Sequence, residues 1–340
     1  MIARSRTSAQ CVLKDVSSHN RTASDKEQRV TNDATRVNAP CYNLRPRRDA
    51  AKARSNEAHS QPCDADDMVD DVDGIHFDDP TLVADYANDI NAYLRSRESL
   101  TSVSPLYMKS QRNIDEQMRQ ILVNFLVEVH FRFGLAPATL YLTVNLLDRY
   151  LSSEVATKVT RSNLQLVGIA ALFTSSKFEE VWALTSTDCV CVCDNSYSEK
   201  DVVDMETSIL VALNYEIYVP CAHAFMVRYL KAVDATTDVV NLSNYVLDGT
   251  LHSYYLLNFL PSQLAAAAVF ISRKTMGDTP WCPELVRHTL YCEEDVLPVA
   301  RAVIAFKVYC SAGLFAVEKK YGRGGFGVGG ASNIELCSDF

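Results

Sequence analysis

A single aromatic residue, Tyr42, stands in the first 76 positions of a 340-residue chain that holds 16 Tyr, 13 Phe and 2 Trp. A stretch so poor in large apolar side chains cannot bury enough surface to offset the entropy of ordering it. Residues 1–63 carry 12 Lys/Arg against 6 Asp/Glu and read as a disordered basic tail. Residues 64–79 carry eight Asp and neither Lys nor Arg, so 64–80 read as an acidic linker. Folding is expected from about Leu82 onward. Long hydrophobic runs are also missing. The first ten residues, MIARSRTSAQ, lack the apolar core of a secretory signal. The longest stretch free of Asp, Glu, Lys and Arg, Gly249 to Ser272, contains His252, Asn258, Pro261 and Gln263. Those groups would need partners in hydrocarbon, so no membrane span is expected. Without a secretory signal, the eleven cysteines read as reduced thiols rather than a disulfide framework. Residues 80–340 sum to −7, which argues against nucleic acid as the partner of the folded part. The basic tail leaves only a non-specific electrostatic option there.

What is present is helical spacing. Ile114, Met118, Ile121, Leu122, Phe125, Leu126, Val129 and Phe133 recur in steps of three and four and predict a helix over 114–133. Further helices are expected over Thr139–Leu151 and Asn163–Phe178. The latter is apolar nearly all round, as a helix enclosed by others would be, and its Gly168 and Ala170/Ala171 allow close approach. Ser198 and Asp201 have capping-box spacing ahead of a helix through Leu213. The pattern then repeats. Tyr197-x-Glu199-x-Asp201-Val202 resembles Tyr291-x-Glu293-x-Asp295-Val296, and Gln165-Leu166 resembles Gln263-Leu264, at offsets of 94 and 98 residues. A duplicated all-helical unit follows, with its boundary near Tyr218–Cys221, where Val219-Pro220 breaks a helix. Pro261 suits the first turn of the helix carrying the second copy. The Gly-rich GRGGFGVGGASN after Tyr321 reads as a flexible tail.

Catalytic chemistry has no visible residue set. Gly322, Gly324 and Gly327 have GxGxxG spacing, but no strand precedes them and no helix follows. Cys189, Cys191 and Cys193 lack the second pair that a metal site needs and read as buried or half-buried thiols. His223 and His252, on apolar helices, read as packing residues. No enzyme activity, metal or cofactor is expected. Four charges sit oddly in apolar helices. Arg119 and Asp148 are candidates for a buried structural salt bridge, since an unpaired buried charge is costly. Lys177 reads either as a helix C-terminal cation favoured by the macrodipole or as a functional group, and Glu206 either as an exposed helix charge or as a functional one.

These blocks resemble a known family. MRQILVNFLVEV, LYLTVNLLDRYLSS, NLQLVGIAALFTSSKFEE and YSEKDVVDMETSILVALNYEI match the cyclin box in order and spacing. YANDINAYLRSRES and SPLYM resemble the N-terminal helix and Pro-x-Tyr-Met segment of mitotic (A/B-type) cyclins. NFLPSQLAAAAVFISRK, PELVRHTLYCEEDVLPVARAVI and AVEKKYG resemble their C-terminal repeat. The resemblance covers roughly residues 82–321. It implies an all-α fold of two tandem five-helix repeats, 81–219 with a preceding helix and 220–321, followed by a tail over 322–340. It implies a non-catalytic subunit that binds and activates a cyclin-dependent Ser/Thr kinase, helps recruit substrates and controls the G2/M transition, in nucleus and cytoplasm. Residue by residue, Lys177 and Glu206 match the kinase-contacting pair, and Phe178, Glu179 and Glu180 continue that segment. Met118, Ile121, Leu122, Phe125, Glu128 and Gln165 match the patch that receives Arg-x-Leu motifs of substrates and inhibitors. Arg119 and Asp148 match the family's structural salt bridge, and Leu166 its buried leucine.

Three departures stand out. Asn124-Phe125 replaces the usual Asp-Trp, and a phenyl ring fills less of a groove than an indole, so weaker or differently selective docking is expected. Ala183-Leu184, after Trp182, replaces the usual Pro-Pro. Residues 1–80 contain no Arg-x-x-Leu or Lys-Glu-Asn degradation motif. Arg97-x-x-Leu100 does match, but at the expected N-terminal helix, which makes it structural. The alternative reading is a kinase-independent adaptor of the transcription-factor type. It would call for a basic folded surface and give Lys177 and Glu206 no role.

Overall fold

A computed structural model describes residues 84–153, 156, 159–310, 316–322 and 336–337. The tail 1–63, the linker 64–80 and most of the Gly-rich segment lie outside them. The described residues hold twelve α-helices and no strand. A 3-10 turn, Ala84–Tyr86, leads into α1 (Ala87–Glu98). The first five-helix repeat comprises α2 (Glu116–Phe133), α3 (Pro137–Ser152), α4 (Leu164–Glu179), α5 (Ser186–Val192) and α6 (Glu199–Ala212). The second comprises α7 (Ala222–Ala232), α8 (Thr237–Thr250), α9 (Pro261–Met276), α10 (Pro283–Thr289) and α11 (Glu293–Cys310). A short α12 (Ala316–Tyr321) closes the described fold.

Local chemistry sets the ends of α2 and α3. The Asp115 carboxylate accepts from the Met118 amide at 2.8 Å, so α2 starts at 116 rather than 114. It stops where Gly134 takes φ 63° and donates to the freed carbonyls. Pro137 opens α3 two residues earlier than the apolar spacing suggested. The expected capping box of α6 is formed between Ser198 and Asp201.

Each repeat wraps its neighbours round one central helix. In the first it is α4, buried without a break from Leu166 to Ser176 and enclosed by α2, α3, α5 and α6. Gly168 permits the contact with α2: a Cβ there would lie 2.7 Å from the Leu122 side chain. In the second it is α9, whose Ala265 to Ser272 are buried against α7, α8 and α11. The duplication read from the sequence is present in the bonding. The Tyr197 hydroxyl donates to the Ser162 carbonyl ahead of α4, and the Tyr291 and Ser262 hydroxyls are bonded at the start of α9, both at 2.8 Å. Asp201 and Asp295 each accept from the backbone amide three residues earlier.

The first helix belongs, by its bonds, with the second repeat. The buried Glu98 carboxylate accepts from the Ser262 amide at 3.1 Å and hydroxyl at 3.0 Å, capping α9. Arg95 donates to the Tyr229 hydroxyl at 3.1 Å and to the Thr289 carbonyl. Arg97 lies in the last turn of α1 as expected, with Leu100 exposed just beyond it. His223 sits on α7. His252 does not sit on a helix: it is buried in the turn after α8.

Candidate partner-binding surfaces

The first surface grows from the C-terminal end of α4. Lys177 Nζ lies 2.5 Å from Glu206 Oε1 on α6 and 4.1 Å from the centre of the Phe173 ring. Their side chains are 44% and 9% exposed, so Glu206 is not the solvated helix charge that its sequence context allowed. A buried carboxylate thus holds a half-exposed cation in place, leaving the ammonium's other donors facing outward. Phe178 and Glu179 are exposed beside it, and partial burial, then Glu180, pushes the Glu179 carboxyl up.

Glu180 points the other way. Its Oε1 accepts from the Ala136 amide at 2.7 Å and the Thr139 hydroxyl at 2.5 Å, so it staples the end of α4 to the start of α3. Leu184, in the place of the expected Pro-Pro, is buried and donates its amide to the Ser176 hydroxyl at 3.2 Å. Between these two anchors Val181 and Trp182 stand 92% and 89% exposed. Tyr86, which ends the 3-10 turn, and Ile90 and Tyr93 of α1 form a second exposed apolar row, at i, i+4 and i+7. Tyr218 is exposed as well, and burial pushes its phenol up, with Cys221, Tyr93 and Glu179 adding to the effect. The sequence reading passed over this row because it falls in a weakly apolar helix, although its spacing was visible.

The second surface is an open groove of about 550 Å³ between α2 and the start of α4. Met118, Ile121, Leu122, Phe125 and Gln165 line it, together with Arg161 and Asp115. Leu122 is its buried floor; Ile121 is exposed on its wall. Glu128 does not line the groove. It lies beyond Phe125 on the same helix face and pairs at 2.9 Å with Lys319 of α12. Asn124, at the other position that departs from Asp-Trp, accepts from the Ala316 amide at 3.1 Å and so seats the start of α12 on α2.

Arg119 and Asp148 form a buried pair. Arg119 donates to Asp148 twice, at 2.7 and 2.6 Å, and its third nitrogen reaches the carbonyls of Leu251 and His252 at 3.1 and 3.3 Å. Burial works against the Arg119 cation, but the Asp148 charge and hydrogen bonds, with Tyr107, together outweigh it and hold the pKa above its ordinary value. The bridge expected within one repeat therefore also reaches the other.

Cys189 and Cys193 are buried, and burial pushes their thiols up to about 12 and about 11; Cys191 is exposed. Among the described residues, no cluster of three or more His, Cys, Asp or Glu could hold a metal ion. No helix among them is long and apolar enough to cross a membrane.

Comparison with known proteins gives two matched families, "Cyclin, N-terminal domain" over residues 89–218 and "Cyclin, C-terminal domain" over 220–328. The chain is 38% identical over 262 residues to G2/mitotic-specific cyclin-2 of Medicago sativa, covering 76% of this chain and 79% of that one. It is 40% identical over 253 residues to G2/mitotic-specific cyclin-1 of Medicago sativa subsp. varia, and 38% over 262 residues to Cyclin-B1-3 of Arabidopsis thaliana. These alignments cover 74% and 76% of this chain, but 58% and 62% of the two relatives. In fold it resembles a viral cyclin from herpesvirus saimiri, with TM-score 0.58 and 19% identity, covering 67% of this chain and 99% of that one. It also resembles a chain of the yeast RNA Pol II CTD kinase CTDK-1 complex, with TM-score 0.51 and 15% identity over 60% and 70% of the two chains.

Proposed function

The chain belongs to the cyclin family, and from that membership we propose that it is a non-catalytic regulatory subunit that binds and activates a cyclin-dependent Ser/Thr protein kinase at the G2/M transition. Its place of action is the nucleus and cytoplasm. The observation that carries the reading is the half-exposed Lys177, fixed by the buried Glu206 within a field of exposed apolar side chains. Phe178, Val181 and Trp182 follow Lys177 along the chain and are exposed, as is Tyr218. Lone exposed apolar residues are ordinary; several in one short segment beside an oriented charge suit a partner surface.

Phosphoryl transfer needs the kinase's own Lys–Glu ion pair formed and its activation loop placed. A preformed helical surface stabilises that arrangement without ordering itself at the moment of binding, so little of the burial energy is lost to rigidification. The groove at Met118, Ile121 and Phe125 takes the apolar anchor of substrate or inhibitor segments of the Arg-x-Leu kind. It thereby raises their concentration at the kinase.

The experiment is co-purification of the chain with candidate cyclin-dependent kinases, followed by phosphorylation of a generic substrate. Lys177→Ala/Glu206→Ala, with its unfolding midpoint measured in parallel, is expected to lose binding and activation. A folded double variant that activates like wild type would place the kinase elsewhere. Ile121→Ala/Met118→Ala is expected to slow docking substrates and leave short generic peptides unaffected.

A further inference from the structure

We propose that Lys319 sets the specificity of the α2 groove, so that it selects segments by an apolar anchor and an uncharged flank rather than by a basic residue. The inference rests on reading the groove as a peptide-docking site. Ile121, Phe125 and Glu128 follow one another at i, i+4 and i+7 and share one face of α2, with Glu128 at the far end. An apolar segment lying along that face brings a flanking side chain to Glu128. Glu128 is not a bare carboxylate: Lys319 Nζ sits 2.9 Å from its Oε1.

The position of Lys319 is fixed by neighbours that do not touch the groove. Asn124 holds the first amide of α12. Lys320 and Tyr321, the next two residues, are bonded to the buried Asp248 at 2.7 and 2.8 Å. An arginine of a docked segment must therefore displace Lys319 from Glu128, and the ammonium it displaces stays tethered to a backbone held beside that carboxylate. What it gains from the carboxylate it loses in the broken pair and in like-charge repulsion. The groove's other two charges, Asp115 and Arg161, are of opposite sign, and the Asp115 carboxylate is committed to the α2 cap. No excess negative charge remains to select a cation.

The test uses the full chain and two labelled peptides identical but for one residue, Arg or Ala two positions before the anchoring Leu. Affinities are measured by fluorescence anisotropy for wild type, Lys319→Ala and Lys319→Glu. Both peptides are expected to bind wild type with dissociation constants within about twofold of each other, the preference for Arg rising about threefold at each step of the series. Adding Glu128→Gln to Lys319→Ala is expected to cancel the gain. A preference of tenfold or more in wild type, or one that stays flat across the series, overturns the role of Lys319 while leaving docking intact. If neither peptide binds, the docking reading falls and this inference with it.

Discussion

Asp148 and Asp248 hold the same place in the two repeats and are satisfied by the same kinds of group. Each is buried near the end of its repeat's second helix, in the frame Leu147-Asp148-x-x-Leu151 or Leu247-Asp248-x-x-Leu251. Asp148 Oδ1 accepts from the Tyr107 hydroxyl at 2.8 Å, and Asp248 Oδ1 from the Tyr141 hydroxyl at 2.6 Å. The cation is Arg119 in one case and Lys320 in the other. Both clusters cross between repeats, since Arg119 reaches the turn after α8 and Tyr141 belongs to α3. Together they fix one repeat against the other.

Removing one member of such a cluster strands a charge in the core. Lys320→Met leaves Asp248 with two tyrosine hydroxyls and no countercharge. It is expected to destabilise the fold by about 3–5 kcal/mol in urea unfolding. Asp248→Leu/Lys320→Met removes both charges and is expected to lose less than the single variant. A single variant within about 1 kcal/mol of wild type would mean that the pair is not closed in solution.

Acid is expected to weaken the fold through histidine before it reaches the carboxylates. Burial pushes His252 down to about 4, with the Gly249 carbonyl opposing the shift and Arg119 adding to it. Between its ordinary pKa of about 6.5 and 4 the unfolded chain binds a proton that the folded chain refuses, so stability falls as pH falls. The shift corresponds to roughly 3 kcal/mol, complete near pH 4. His130 and His223, also pushed down by burial, act in the same direction. Asp248 is held below its usual range because Lys320 and three hydrogen bonds outweigh its burial, so its contribution is lost only at lower pH. Urea midpoints at pH 7 and 4.5 should therefore drop less for His252→Gln than for wild type. Parallel drops would show that His252 is not the proton acceptor.

The long helices were legible because α2 and α6 carry their own periodicity and caps, and α4 an unbroken apolar run. The helix α5 was not: seven residues give too few turns for a pattern, and its cysteines drew a question about metals instead. Repetition was legible in Tyr197 and Tyr291, which make equivalent bonds, but not in Asp248, whose cation lies 72 residues away. The burial of Glu206 depends on how α6 meets α4, and the pairing of Glu128 on where α12 lands. Neither is encoded in local spacing. Conversely, Glu180 continues the run that the cyclin resemblance expects to face a kinase, and its bonds to Ala136 and Thr139 could not be read from that run.

Gly168→Ala should couple the core to the proposed docking groove. The new Cβ would lie 2.7 Å from Leu122 Cδ1 and 3.1 Å from Cγ, so the buried leucine must shift. A cost of about 1–3 kcal/mol is expected, together with weaker peptide docking, since Leu122 is the groove floor. Gly168→Ala/Leu122→Ala should cost less than the sum of the two single changes, because each relieves the strain or void left by the other. Additive costs would show that the two positions do not touch.

Trp182 offers the most direct test of the proposed kinase surface, because it stands exposed in the free chain. Its side chain is 89% exposed, while the neighbouring Glu180 and Leu184 hold the loop by their own contacts. Trp182→Ala is therefore expected to leave the unfolding free energy within about 0.5 kcal/mol of wild type. If the kinase covers this loop, the same change should weaken binding by about 2 kcal/mol, or roughly thirtyfold, as loss of a central aromatic anchor does. Fluorescence separates this from a remote effect. The chain has two tryptophans, and the other, Trp281, is half-buried and donates to the Tyr291 carbonyl at 3.2 Å. With a kinase whose own tryptophans have been replaced, binding should shift the wild-type emission to the blue and leave the Trp182→Ala emission unchanged. Equal affinities and no shift would place Trp182 outside the interface and confine the kinase to the Lys177 side.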